Sequence, residues 1–268
     1  MHTEAWQAVS LRVSKMILDD LLQEAKAKLA ERTLADVRIG LGYTAVVLDD
    51  GGCGLAGTML DPSDWRCTVL PEAGELVGRP AVRAAEMALS QSPVAASVGV
   101  ATINAALNRT GEVGPDLLDV LPIDGARVGM VGMFEPYVDR LRQRAADLYV
   151  LERRPVAPEV LPESEAERIL PDCDVVILTS LTLVNKTLDL LLELANGEVA
   201  LLGPTTPLSA VFASRGVDHL FGVVVENSVR VREIVSQAGG TRRFGPAVRK
   251  VYRDLRRDPG QPNAWQAP

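Results

Sequence analysis

The hydrophobic pattern of the first 109 residues predicts an antiparallel sheet covered by helices. An apolar period of helical spacing runs over residues 10–31. Apolar and alternating runs then predict three strands and two further helices, at 37–41, 43–48, 53–59, 78–90 and 93–108. Asp49-Asp-Gly-Gly52 predicts a hairpin turn, and Pro93 suits the first position of a helix. A meander of strands followed by helices is typical of an α+β unit.

From residue 127 onward, short apolar runs alternate with helical periods. The predicted strands cover 127–131, 148–151, 174–178, 198–202 and 219–225. The predicted helices lie near 135–146, 163–169, 207–214 and 227–238, and a further helix begins at Leu181. Regular alternation predicts right-handed crossovers and a parallel sheet with helices on both faces, which is an α/β domain. We place the two domains at 1–112 and 113–255, followed by a tail over 256–268 that we expect to be disordered.

Composition and charge narrow the class of protein. The 268 residues are 47% hydrophobic and 24% charged, which is typical of a globular soluble chain. The net charge of -7 argues against a nucleic-acid partner, because no basic stripe is present to displace counterions. The only basic clusters, at 242–243, 249–250 and 253–257, are expected on a solvated helix face.

The ends of the chain and its cysteines favour a cytoplasmic protein. Residues 1–7 lack the basic and apolar segments of a signal peptide, and no apolar run reaches the ~18 residues of a membrane span. We therefore expect no membrane partner. Cys53, Cys67 and Cys173 are too few and too scattered for a disulfide framework, so we expect small buried side chains in a reducing compartment.

The segment from Thr179 to Asp189 carries the strongest candidate site. It follows an apolar strand, and its leucines and valine predict a helix with a buried stripe. A polar row lies beside that stripe and is formed by Thr182, Asn185, Lys186 and Asp189. Open α/β sheets bind ligands where strands end and helices begin, so this row is placed to contact a ligand. The alternative is a capped helix with a solvated Lys and Asp.

Small or polar residues also end the other predicted strands. They are Gly129-Met-Val-Gly132 with Phe134, then Glu152, Gly203-Pro-Thr-Thr-Pro207 with Thr205, and Glu226. The glycine spacing differs from that of a dinucleotide fingerprint, and Glu135 disfavours a pyrophosphate there. Glu152 lies where Rossmann domains hold a ribose hydroxyl, and the alternative is a surface Glu-Arg-Arg turn. Together, the strand ends form a stronger signal than any one of them.

The first unit offers one further candidate residue, and the sequence argues against several other kinds of site. Asn104 lies on a predicted helix that is rich in small and polar residues. In one interpretation it faces the cleft, and in the other it is a buried amide. Only two histidines, His2 and His219, are present, so a catalytic triad has almost no candidate base. No metal-ligand spacing and no phosphate-binding loop of the Walker type occurs, although Lys186 is available for an anion or a Schiff base.

Four segments resemble the putative heavy-metal chelation family, over residues of about 10 to 240. They are Ser97-Val-Gly-Val-Ala-Thr-Ile-Asn-Ala, Gly129-Met-Val-Gly-Met-Phe, Asp174-Val-Val-Ile-Leu-Thr-Ser-Leu-Thr-Leu-Val-Asn-Lys-Thr-Leu and Gly203-Pro-Thr-Thr-Pro-Leu-Ser. Members of that family pair an enolase N-terminal-like domain with a Rossmann-like domain. The resemblance therefore implies an α+β enolase N-terminal-like domain before a Rossmann-like parallel sheet, with a ligand site in the cleft between them.

These observations lead to one leading hypothesis and two competitors. The leading one is a cleft that binds a small metal-chelating or pterin-like molecule, without direct metal ligation by side chains. The candidate ligand-binding residues are Asn104, Gly132, Phe134, Glu152, Thr179, Ser180, Thr182, Asn185, Lys186, Gly203, Thr205 and Glu226. The competitors are a nucleotide- or S-adenosylmethionine-dependent enzyme, with Glu152 on a ribose, and a structural or assembly protein. The sequence leaves open the ligand, any cofactor, catalysis and the oligomeric state, a homo-oligomer included.

Overall fold

The computed structural model describes residues 16–60, 67–155 and 157–256, and its first unit is a helix-covered hairpin sheet. The elements are α1 Ile17–Leu29, β1 Leu34–Ile39, β2 Tyr43–Leu48, β3 Cys53–Gly57, α2 Ala81–Glu86 and α3 Pro93–Leu107. The three strands are antiparallel in the order β1-β2-β3. This agrees with the predicted elements. The part of the first helix predicted over 10–15 and the predicted tail over 257–268 lie outside the described residues.

Helix α3 lies directly on the backbone of β3. It begins as predicted at Pro93, where the Ser92 side chain accepts a hydrogen bond from Ala95 N. Nearly all of its side chains are buried, so the helix has no solvated face. A Cβ at Gly54 would lie 2.1 Å from the carbonyl oxygen of Ala101. Glycine in β3 therefore permits the close approach between helix and strand.

The second unit is built on a seven-stranded sheet. Its elements are α4 Leu117–Val120, β4 Arg127–Val131, α5 Glu135–Arg144, β5 Asp147–Glu152, β6 Val160–Pro162, α6 Ala166–Ile169, β7 Val175–Thr179, α7 Leu188–Leu194, β8 Glu198–Leu202, β9 His219–Val225, α8 Ser228–Ser236, α9 Thr241–Phe244 and β10 Val248–Asp254. The strand order is β10-β9-β8-β7-β4-β5-β6, and every pair except β10 with β9 is parallel. The predicted fold class, a Rossmann-like parallel sheet after a smaller α+β unit, is confirmed.

Alternate residues of the parallel strands face two different cores. Val128 and Met130 face a core that α4 and α5 cover. Val131 and Leu178 face the opposite core, which continues through α7 into the side chains of the first unit. The two units therefore share one continuous apolar core, which ties the small sheet to one face of the large one.

Several elements differ from the predictions. The chain from Leu181 forms a short 3-10 turn, Ser180–Leu183, and α7 begins only at Leu188, because Lys186 adopts a left-handed backbone (φ 62°) between them. The basic residues Arg249 and Lys250 lie in the antiparallel edge strand β10 instead of on a helix. Strand β6 was not predicted either, and Cys67 is exposed although a buried position was expected.

The connection between the units is itself packed. Val113 pairs with Val251 of β10 through an isolated β-bridge, and Tyr252 N donates to Glu112 O at 3.4 Å. Arg249 also donates to Gly111 O. Residues of the connection thus cover the outer edge of the large sheet. None of the helices in the described part of the chain combines the length and the apolar character that a bilayer crossing needs.

Candidate functional site

The carboxyl ends of β4, β5 and β7 surround a small cavity. Between β4 and β7 the strand order reverses direction, and open α/β sheets bind ligands at such a switch point. The cavity has a volume of about 50 Å³. Its lining includes Met59, Gly132, Glu152, Arg153, Glu163, Thr179, Thr182 and Asn185. Predicted site residues from three strand ends therefore meet at one place.

A larger hollow opens the cavity toward the first unit. It has a volume of about 230 Å³ and is lined by Thr58, Met59, Leu60 and Pro93 on one side and by Glu152, Arg153 and Arg154 on the other. Met59, Glu152 and Arg153 line both spaces. We call the cavity and this mouth together the crevice. Both units form its walls.

Gly132 allows the ends of β4 and β7 to lie side by side. Its φ of 89° belongs to the left-handed region that favours glycine. A Cβ there would lie only 2.6 Å from Thr179 Cγ2. Any side chain at this position would push the two strand ends apart, so glycine is needed for the shape of the crevice.

The Glu152 carboxylate lies beside the turn that follows β4 and is hydrogen-bonded to it. Its Oε1 accepts a hydrogen bond of 2.6 Å from Met133 N. The amide that a Rossmann phosphate would use is therefore already bonded to a carboxylate of the protein. Glu135, at the start of α5, adds a second negative charge and pairs with Arg242. The arrangement disfavours a bound pyrophosphate.

Glu163 is a crevice residue that sequence reasoning missed. Its Oε1 is buried without a hydrogen-bond partner among the described residues. Burial raises the pKa of this carboxyl, and the charge of Glu152 acts in the same direction, whereas the nearby Thr187 side chain and the charge of Arg153 act against them. The acidic run Glu163-Ser-Glu-Ala-Glu167 looks like a solvated surface, so no local signal marks this residue.

Thr182 and Asn185 form the polar wall opposite. Thr182 Oγ1 donates to Thr179 O at 2.6 Å, and the side chain is 1% exposed. Asn185 Oδ1 accepts from Thr187 N at 3.2 Å and from the Thr187 hydroxyl at 2.9 Å. No described residue accepts a hydrogen bond from Asn185 Nδ2, which leaves two donors for a ligand.

Lys186 turns away from this wall. Its left-handed backbone directs the ammonium group to Ser90 O of the first unit, and Nζ also contacts Val184 O at 3.5 Å. Burial lowers the pKa of Lys186. The expected role, to balance the charge of a ligand in the crevice, is not supported by this geometry, because the ammonium group joins the two units.

The remaining predicted residues lie in other places. Asn104, Ser180 and Thr205 are at most 4% exposed and lie in the joint between the units. Thr205 Oγ1 accepts from Gly57 N at 2.9 Å, so a ligand would have to break this joint to reach it. Glu226 is exposed, and its Oε1 accepts from Arg249 Nε at 2.6 Å.

Gly203 and Phe134 lie beside each other after β8 and β4, the two strands that flank β7. A Cβ on Gly203 would lie 3.9 Å from Phe134 Cε1, and the φ of Gly203 is 119°. Neither residue is among those that line the crevice. Among the described residues, no group of three or more His, Cys, Asp and Glu side chains is placed to hold a metal ion.

The chain is similar to known proteins along most of its length. Two family models, both described as putative heavy-metal chelation, match residues 22–107 and 116–254. An uncharacterised protein of Methanocaldococcus jannaschii is 28% identical, over 78% of this chain and 86% of its own.

Two solved structures have the same fold. A protein of unknown function from the DUF364 family of Desulfitobacterium hafniense DCB-2 is 27% identical, with a TM-score of 0.72 over 88% of this chain and 98% of that chain. A DUF364 protein of Pyrococcus horikoshii, at 23% identity, has a TM-score of 0.75 over 89% of this chain and 100% of that chain.

Proposed function

The chain belongs to the family described as putative heavy-metal chelation, and from this premise we propose that its crevice binds a small polar organic molecule that chelates a metal ion. A pterin-like ring, with several nitrogen and oxygen atoms on one edge, is a molecule of this kind. Its polar edge would lie between Glu163 and Asn185, where an acceptor and two donors have no partner among the described residues.

The observation that carries this proposal is the unpartnered oxygen of Glu163. A buried acceptor without a partner costs about 1–3 kcal/mol, so such a group in a native protein calls for an explanation. A ligand N–H or O–H group, or a bound cation, would supply the missing partner. The position of Glu163 at the switch point of the sheet supports a ligand over an isolated packing defect.

The organic molecule is needed because the crevice alone is a poor metal site. Of the described residues, two carboxylates line it, Glu152 and Glu163, and Glu152 already accepts a bond from Met133 N. Metal ions in proteins take about four to eight ligand atoms. A chelator would bring most of these atoms itself, and Glu163 would complete the shell or bind the chelator directly.

A nucleotide- or S-adenosylmethionine-dependent enzyme is the second candidate. The strand order and the place of Glu152 at the end of β5 favour it, because Rossmann domains hold a ribose at this position. Against it stands the bond from Met133 N to Glu152, which a ribose hydroxyl would have to replace or share. The second candidate predicts that S-adenosylmethionine or a dinucleotide raises the melting temperature, and that Glu152→Ala abolishes the rise.

Native mass spectrometry with elemental analysis of freshly purified protein tests the leading proposal. We expect the wild type to retain an organic mass, with or without a metal, and Glu163→Ala to lose most of it. Glu167→Ala is the matched control, because Glu167 is an exposed carboxylate four residues away. A retained nucleotide would favour the second candidate. Equal retention by both variants would contradict the role of Glu163.

A further inference from the structure

An apolar groove adjoins the mouth of the crevice on the side of the first unit. It has a volume of about 380 Å³, and its lining includes Ile39, Leu41, Thr58, Leu60, Leu70 and Val94. Thr58 and Leu60 also line the mouth of the crevice. The groove is therefore a neighbour of the crevice with a shared wall, and a molecule bound in one can extend into the other.

The groove concentrates apolar side chains that face water. Ile39 is 40% exposed, Leu41 70% and Leu60 37%. These three are half of the six large apolar side chains that are exposed in the described part of the chain. Apolar groups gathered at one concave place on a surface indicate a binding site, whereas isolated ones need no explanation.

The polarity of the surface changes from one end to the other. Arg153, Arg154 and Glu152 line the mouth of the crevice, and Glu163 lies at its inner end. Among the described residues, the lining of the groove beyond Thr58 and Leu60 includes no charged side chain. A ligand that matches both ends carries a polar head and an apolar arm.

We propose that the ligand of this protein is amphipathic, with its polar, metal-chelating head in the crevice and an apolar arm in the groove beyond Leu60. This inference rests on the proposed function and adds the second half of the ligand. The groove falls within the range of about 300–1,000 Å³ that small-molecule sites occupy. A stable protein interface would instead bury about 800 Å² on each partner, far more surface than this hollow presents.

A pair of chelators with the same head and different arms tests the inference. Acetohydroxamic and octanohydroxamic acid share a hydroxamate head, and the second has six more methylene groups. Titration calorimetry on the full chain gives the Kd of each. Each buried methylene strengthens binding about 4-fold, so three in the groove would give about 60-fold tighter binding of the long chelator.

Two substitutions test whether the tighter binding of the longer chelator comes from the groove. Leu41→Asp places a charge in the groove and should abolish the advantage of the longer chelator while the affinity for the short one stays unchanged. Val113→Asp is the matched control, because Val113 is equally exposed, at 74%, and lies outside the lining of the groove. Neither change disturbs a buried side chain, so both variants should fold.

The outcomes separate this inference from the proposed function. Equal affinity for the two chelators, or a gain that Leu41→Asp leaves intact, would overturn the apolar arm and leave the head in the crevice. No binding of either chelator would overturn both proposals for this class of head. Dimers that sedimentation detects in the wild type and that Leu41→Asp dissociates would assign the groove to a second copy of the chain and overturn the inference.

Discussion

Asn104 of α3 and Asn108, the residue that caps the end of this helix, donate hydrogen bonds to the consecutive carbonyl groups of Thr205 and Thr206, each at 2.9 Å. The two asparagines thus hold the loop after β8 against the first unit. Asn104 Nδ2 also donates to Leu55 O, and Asn108 Oδ1 accepts from Leu208 N, both at 2.8 Å. This joint fixes the first unit over the carboxyl edge of the large sheet, and so it fixes the walls of the crevice.

Removal of one of these side chains should weaken the whole fold. Asn108→Ala leaves the carbonyl groups of Thr206 and Val223 and the amide of Leu208 without their partners. Because each unmade buried bond costs about 1 kcal/mol or more, we expect the free energy of unfolding to fall by about 2–4 kcal/mol in urea titrations. Asn196→Ala, which removes one exposed bond to Pro171 O, should change it by less than about 0.5 kcal/mol. Similar losses for the two variants would contradict the role of the joint.

Gly132→Ala should lower the free energy of unfolding by more than the left-handed backbone at this position alone explains. Gly132 and Gly78 have nearly equal φ values, 89° and 84°, but only Gly132 has an atom within 4 Å of the added Cβ. Gly78→Ala should therefore cost the ~1–2 kcal/mol of a left-handed alanine. Gly132→Ala should cost ~1–3 kcal/mol more, because the methyl group collides with Thr179. Denaturant unfolding of the two variants measures the difference, and equal costs would show that the strand ends separate freely.

The pKa of Glu163 predicts a stability that depends on pH. Burial raises this pKa above the usual 4.5, so the folded protein retains the proton at pH values where the unfolded chain has lost it. The carboxyl group therefore lowers stability as the pH rises through this window. Glu163→Gln stays neutral, so the ligand-free variant should melt above the wild type at pH 8 and equal it near pH 4. A lower melting temperature at pH 8 would contradict this.

His219 predicts the opposite dependence. Its ring is buried between Glu198 Oε1, at 2.6 Å from Nε2, and Tyr252 Oη, at 2.9 Å from Nδ1. Burial lowers the pKa of His219 below 6.5, although the Glu198 carboxylate opposes the shift. His219 therefore binds a proton in the unfolded chain at pH values where it stays neutral in the folded protein, and stability is lost as the pH falls below 6.5. Melting curves from pH 7 to pH 5 should show a steeper decline for the wild type than for His219→Gln, and parallel curves would contradict this.

The sequence predicted the strands well, because their apolar runs carry the information locally. The bounds of 127–131, 198–202 and 219–225 agree with β4, β8 and β9. Strand β10 escaped prediction because Arg249, Lys250 and Arg253 make it polar, and only its pairing with β9 at the edge of the sheet makes it a strand.

The site was predictable only as far as topology determines it. Parallel strands end at one edge, so Gly132, Glu152 and Thr179 were expected to meet, and they do. Which part of that edge stays open depends on contacts between distant residues, such as Gly57 N with Thr205 Oγ1, and these leave no local pattern. For the same reason, Glu163 and the left-handed turn at Lys186 were found only in the structure.

The bridge from Val113 to Val251 has a consequence for how the molecule can move. Because this connection is hydrogen-bonded to the last strand, it is not a flexible linker and cannot act as a hinge between the two units. A small molecule must therefore enter the crevice through its existing mouth, by motion of the surrounding side chains and not by closure of one unit over the other. A protease should likewise spare residues 111–113 in the native protein.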